Sequence, residues 1–262
     1  NVGATSHDAL LKLIQDKAKS GVFLSVLGFG NGNYKDSTME LLADKGNGNY
    51  AYIDTLNEGR KVFVEQMTGT LITIAKDVKI QVDFNPAHVA AYRLLGYENR
   101  MLKAEDFKDD KKDAGEIGAG HTVTALYEIV PPGQDVPVGD VEPSKYQTPK
   151  EPAADEKPAA PHQDELLTVR LRYKDPEGDA SKPLEFPTKS DVQEFDKTSV
   201  DFQFAAAVAQ FGMLLRNSQF KGGANWDSVI EITEGSLGPD ANGYRAEFLD
   251  LAKKARELSK QK

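Results

Sequence analysis

SGVFLSVLGFG, residues 20–30, is the stretch that decides the fold of the first part of this chain. Its centre, residues 22–29, is almost continuously apolar, which predicts a strand covered on both faces, as in a parallel sheet. Helical patterns lie on both sides. A capping box at Thr5 and Asp8 opens the first helix, and Asp36 is the predicted N-cap of a second, short one. A strand between two helices is the beginning of an α/β layer.

The same alternation continues up to residue 76. Residues 50–53 predict a second short strand, and Thr55 with Glu58 forms another capping box that opens a third helix. The apolar positions of that helix run on to Ile74. Helix, strand, helix, strand, helix predicts part of a parallel, Rossmann-like sheet within an α/β domain, residues 1–76.

The apolar period changes from helical to alternating after residue 75. Val78, Ile80 and Val82 alternate with polar residues such as Lys79, which predicts a strand with one solvent-facing side. Further strands are predicted at residues 91–97, 122–130 and 167–173, the last with the clearest alternation. Together they predict an antiparallel sheet or a small sandwich.

Two other segments complete the second domain, residues 77–262. Residues 131–165 hold eight of the chain's 13 prolines, which predicts a flexible, partly extended linker inserted between two strands. The last 65 or so residues have helical periodicity. The predicted fold class is therefore α/β plus α+β: a partial parallel sheet, then an antiparallel sheet or sandwich with a C-terminal helical segment.

The composition of the chain argues against several classes of function. The net charge of -9 argues against nucleic acid as the main partner, because phosphate binding needs a concentrated basic surface. No apolar run approaches the ~20 residues that span a bilayer, so we expect no direct membrane insertion by this chain. The absence of cysteine removes disulfides and thiolate chemistry. The chain begins with Asn rather than Met, and we expect it to be part of a longer protein.

The pentapeptide GNGNY occurs twice, at residues 30–34 and 46–50. The first copy follows a strand and precedes a helix, the place where a parallel sheet puts its ligand crevice. Four of its members and one preceding glycine are the candidate binding rim: Gly28, Gly30, Asn31, Asn33 and Tyr34. Turn chemistry is the other interpretation, because Gly and Asn tolerate positive φ. The second copy is predicted to be a turn.

Catalytic motifs have no positive support in this sequence. The acidic stretches 105–116 and 175–179 do not have the spacing of a calcium-binding EF-hand loop, and no zinc-protease or nucleophile-elbow motif occurs. We predict that the chain is not an enzyme, with a hydrolase that uses the acidic loops as the alternative. Tyr92, Tyr97 and Tyr127 are either interface anchors or half-buried sheet residues.

Two groups of sequence strings resemble a known family. Residues 20–30, NYKD at 33–36 and LADKGNGNY at 42–50 resemble the last third of a bacterial von Willebrand factor type A (vWA) domain. AKDVKIQV at 75–82, YRLLGYENR at 92–100 and GEIGAGHTVTALYE at 115–128 are similar to the uncharacterised C-terminal domain that follows vWA domains in envelope proteins.

The resemblance implies a protein-binding, adhesion-type module of the bacterial cell envelope. vWA domains of this type hold Mg²⁺ through an Asp-x-Ser-x-Ser loop, a Thr and a further Asp, and this loop motif does not occur in the chain. The resemblance therefore implies no cofactor in this chain and a Mg²⁺ site N-terminal to it. A metal-independent structural scaffold is the alternative. With most of the sheet missing, we expect residues 1–75 to be poorly stable by themselves and strand 22–27 to have an open edge.

Overall fold

The structure, a computed structural model, describes residues 7–30, 35–97, 101–112, 114–134 and 162–260. The chain divides into two compact units. The first consists of Asn1–Asp83, Leu102–Val123 and Thr168–Pro187, and the second of Phe84–Met101, Thr124–Leu167 and Thr188–Lys262.

The first unit begins with the predicted small α/β layer. Its elements are α1 His7–Lys19, β1 Val26–Phe29, α2 Asp36–Lys45, β2 Tyr50–Ile53, α3 Leu56–Arg60, a π-helical turn Lys61–Glu65, and α4 Met67–Leu71. β1 and β2 are parallel, in a register that pairs Val26 with Tyr50 and Phe29 with Ile53. The prediction of a parallel sheet between helices is confirmed.

Strand β1 is shorter and more open than predicted. It begins at Val26 rather than at residue 22, and the side chains of Val22 and Phe29 are 59% and 62% exposed. The prediction of a strand covered on both faces is therefore wrong for this chain. The reason is that, within the described residues, this sheet consists of β1 and β2 only.

The predicted helix starts are partly right. Thr55 caps α3, since its Oγ1 accepts a hydrogen bond from the Glu58 amide at 3.2 Å. Asp36 is not a cap but the first residue of α2, where its carboxylate accepts a hydrogen bond from the Tyr50 hydroxyl. The third helix does not reach Ile74, because strand pairing starts at Thr73.

A four-stranded antiparallel sheet follows. Its strands are β3 Thr73–Phe84, β5 Gly115–Gly118, β7 Glu165–Lys174 and β8 Lys182–Lys189, in the order β5-β3-β7-β8. β4 Ala91–Leu95 and β6 Leu126–Val130 form a separate antiparallel pair. The strand predicted at 91–97 ends early because Gly96 and Tyr97 have φ angles of 83° and 62°.

The predicted linker is shorter at its far end than expected. β7 begins at Glu165, inside the predicted range 131–165, and Asn85 donates to the carbonyls of His162 and Glu165 at 3.2 and 2.7 Å. Residues 135–161 lie outside the described residues. β8 was not predicted because it contains Pro183 and Pro187, which are tolerated here since β8 is an edge strand.

Three helices end the second unit: α5 Val200–Leu215, α6 Trp226–Gly235 and α7 Tyr244–Ser259. Phe211, Val229, Ile230, Leu249 and Ala252 form their buried core. Ser199 caps α5, and Asn225 with Ser228 forms a capping box at α6. The C-terminal helical segment is confirmed.

Candidate functional site

The predicted rim lies at the carboxyl end of β1. Gly28 is buried in that strand beside Tyr52 of β2, and Gly30 follows the strand with a φ of 77°. The Tyr52 hydroxyl donates to the Gly30 carbonyl at 2.9 Å. The structure thus brings Gly28 and Gly30 together with Tyr52, a residue that the sequence reasoning missed. Asn31, Asn33 and Tyr34 lie outside the described residues.

The second GNGNY copy is a turn, as predicted. Gly46 ends α2, Asn47 has a φ of 48°, and Tyr50 opens β2. A Cβ atom on Gly48 would lie 1.9 Å from the Leu24 carbonyl oxygen, so glycine is required there by close backbone approach. The repeat at this position has a packing explanation and needs no ligand.

The helical segment after β2 exposes many large apolar side chains. Leu56 is 89% exposed and Leu71 72%, and three others on this segment, Phe63, Val64 and Met67, are 48%, 65% and 47% exposed. We call these five residues the exposed apolar set. Solvent-facing leucines are ordinary singly, but five large apolar side chains exposed on one short segment are unusual.

The acidic stretch 105–116 is tied to the sheet by a buried lysine. Lys79 of β3 is only 3% exposed, and its Nζ donates to the carbonyls of Asp106, at 3.3 Å, and Asp109. The alternating pattern placed Lys79 on the solvent side and Ile80 inside, whereas Ile80 is 50% exposed. That expectation is wrong because residues 104–109 cover the polar side of the strand.

A second lysine anchors the same segment. Lys174 Nζ lies 2.6 Å from Asp77 Oδ2 and donates to the Asp110 carbonyl at 2.9 Å. The Asp110 carboxylate accepts from the Ser181 hydroxyl at 2.6 Å and from Arg172 at 3.3 Å. The acidic stretch is therefore held in place by cations from β3 and β7.

These contacts shift two pKa values in opposite directions. The hydrogen bond from Ser181, helped by Arg172, lowers the pKa of Asp110 despite some desolvation. The hydrogen bond to Asp77 raises the pKa of Lys174. Both shifts favour the charged forms, which suits a structural ion network better than a proton-transfer site.

The described residues contain no group of three or more His, Asp or Glu side chains arranged to hold a metal ion. In the same part of the chain, no helix combines the length and the apolar character that crossing a membrane requires.

The three tyrosines that were either interface anchors or half-buried sheet residues take different positions in the second unit. Tyr92 is 57% exposed, and its ring centroid lies 4.4 Å from that of Phe84. Tyr127 is half-buried beside them, and this burial raises its pKa. The Tyr97 hydroxyl donates to the Thr124 carbonyl at 2.8 Å. Tyr92 therefore presents the most exposed surface of the three.

Comparisons with known proteins point to one family. The family described as "Uncharacterized protein YfbK, C-terminal" matches residues 69–258. The chain is 40% identical over 251 residues to "Uncharacterized protein YfbK" of Escherichia coli (strain K12), covering 96% of this chain and 42% of that protein. The chain thus spans less than half the length of this relative. No solved structure matches this chain.

Proposed function

This chain belongs to the family of the YfbK C-terminal domain, and we propose that it is a protein-interaction module, not an enzyme, within a longer cell-envelope protein. The exposed apolar set carries the proposal. We propose that this set packs against the region of the longer protein that lies outside the 42% matched in the E. coli relative.

The geometry of the first unit supports this proposal. A two-stranded parallel sheet is too small to cover its own helices, and β1 keeps Phe29 62% exposed. Parallel sheets are normally covered on both faces. Additional parallel strands and the helices that accompany them, as the vWA resemblance implies, would bury apolar surface that is now exposed. Each large side chain buried in this way contributes about 1.5–3 kcal/mol.

A proposal for the complete protein rests on the same resemblance. We propose that a protein ligand binds through Mg²⁺ held by residues outside this chain, and that Gly28 and Gly30 border that face. The metal-independent scaffold remains the second candidate. A hydrolase based on the acidic stretch is less well supported, because Asp110 of that stretch is engaged by Ser181 and Arg172.

Hydrogen exchange tests the docking step. Amides of residues 56–71 should exchange fast in this chain. In the longer protein they should exchange at least about tenfold more slowly, because docking raises the free energy required for local opening. Leu56→Ser with Leu71→Ser should remove that protection. Leu258→Ser is the matched control, because Leu258 is 56% exposed but lies in α7. Equal exchange in the two proteins would overturn the proposal.

Thermal unfolding with Mg²⁺ and with EDTA separates the two candidate functions. A metal at 100 times its dissociation constant stabilises by about 2.7 kcal/mol. We expect the longer protein to respond and this chain not to respond. If neither responds, the scaffold is favoured; a response from this chain would place a metal site within it and contradict the proposal.

A further inference from the structure

The first unit contains a cavity of about 320 Å³ on the polar side of the four-stranded sheet. It lies beside the anchored acidic stretch. Its apolar wall is formed by Phe107, Pro183 and Leu184, and its polar wall includes Gln81, Lys108 and Arg172. The volume is at the lower end for small-molecule sites, which are mostly apolar with a few well-placed polar groups.

Two cationic groups in this wall retain free donors. Lys108 is exposed and forms no ion pair with any described residue. Arg172 donates to Asp110 and Ser181 through Nη2, and its buried Nε finds no acceptor in the described part of the chain. Neither contact uses Nη1. A small movement of the guanidinium toward a ligand would therefore break no hydrogen bond at Nε.

The third cation of the wall is already neutralised. Arg170 pairs with Asp83 at 2.7 Å through Nη1 and with Glu185 at 3.2 Å through Nε. Glu185 is itself a wall residue, and Arg172 faces Asp110, so Lys108 is the cation of the wall without a carboxylate partner among the described residues. This suits one negative charge better than a doubly charged phosphate.

We propose that this cavity binds a small carboxylate with a short branched apolar tail. The carboxylate contacts Lys108 and the Arg172 guanidinium, and the tail packs against Phe107 and Leu184. Phe107 is 8% exposed and fixed by the anchored stretch, so this part of the apolar wall is preformed, whereas Leu184 is 43% exposed. The inference goes beyond the proposed docking function and does not depend on it.

Nuclear magnetic resonance titration of the 262-residue chain tests the proposal, with isovalerate as the probe. Isovalerate should cause saturable shifts of the Phe107 and Leu184 amides. Isovaleramide, which has the same shape without the charge, should not. Lys108→Gln should weaken isovalerate binding by about tenfold, the loss expected for one charge-assisted hydrogen bond.

The control is Lys103→Gln, which removes a positive charge from the same loop but outside the cavity. Lys103 is 80% exposed and lies 3.8 Å from Glu105. This variant should bind isovalerate as the unchanged chain does. Arg172→Gln should also abolish binding. If Arg172→Gln does not fold, Lys108→Gln still tests the proposal. The absence of saturable shifts, equal binding by Lys108→Gln, or tighter binding of inorganic phosphate would overturn the proposal.

Discussion

Lys174 Nζ lies 2.6 Å from Asp77 Oδ2, with 11% and 17% of the two side chains exposed. Asp77 comes from β3 and Lys174 from β7, 97 residues further along the chain. The pair therefore joins strands that come from opposite sides of the predicted linker, and it holds the acidic stretch through the Asp110 carbonyl. It is the most protected lysine–carboxylate pair in the described part of the chain.

Removing this cation should destabilise the first unit. Lys174→Met leaves the Asp77 carboxylate without its main partner in a poorly hydrated site, and we expect the free energy of unfolding to fall by about 2 kcal/mol. Urea unfolding followed by circular dichroism measures the change. Lys182→Met is the control, since Lys182 and Asp175 are 54% and 50% exposed and that variant should lose less. Equal losses would show that protection of the pair is unimportant.

The pKa of Asp110 should depend on Ser181. Because the hydrogen bond from Ser181 is the largest cause of the lowered pKa, Ser181→Ala should raise it toward the ordinary value of about 3.9. A lowered pKa stabilises the fold above the unfolded value, and this contribution is lost as the pH falls through the folded pKa. Ser181→Ala should therefore make stability less dependent on pH in that acidic window.

Carboxyl carbon shifts followed by nuclear magnetic resonance measure this pKa directly. Asp164, whose pKa is lowered by Lys189, serves as an internal control and should not change. A pKa of Asp110 that stays low in Ser181→Ala would assign the shift to Arg172 instead.

The turn at the second GNGNY copy should be intolerant of a side chain. Gly48→Ala would place a Cβ atom 1.9 Å from the Leu24 carbonyl oxygen, and we expect a loss of about 2 kcal/mol or more in thermal unfolding. Gly30→Ala is the comparison, since its Cβ would meet no atom within 4 Å and the cost is backbone strain of about 1–2 kcal/mol. A smaller loss for Gly48→Ala would contradict the close approach.

The helical core of the second unit should depend on Phe211. Its ring centroid lies 5.2 Å from that of Phe248 and 5.6 Å from that of Trp226. Phe211→Ala should cost about 3–5 kcal/mol, measured by urea unfolding of the helical dichroism signal. Phe202→Ala, on the same helix but at a position 45% exposed, should cost about 1 kcal/mol. Similar losses would show that Phe211 is not central to the core.

Several parts of the candidate site could not be read from the sequence. The alternation around Val78 identified a strand, yet Lys79 is buried and Ile80 exposed, since the covering stretch 104–109 is supplied from a distant part of the chain. The cavity with Arg172 and Lys108 was missed for the same reason. Gly28 and Gly30 were proposed because a strand end followed by glycines is a local signal, whereas Tyr52 reaches them only through strand pairing.

Local chemistry determined where many elements begin and end. Thr55 opens α3, and residues 50–53 and 167–173 form strands, because capping and period-2 patterns act over a few residues. Tertiary structure decided where the third helix stops, since pairing of Thr73 with Gly118 replaces helical hydrogen bonds by sheet hydrogen bonds. It also decided which polar residues are buried. A lysine enters the interior only where oxygen atoms from distant segments converge on it, and no pattern confined to one segment encodes that convergence.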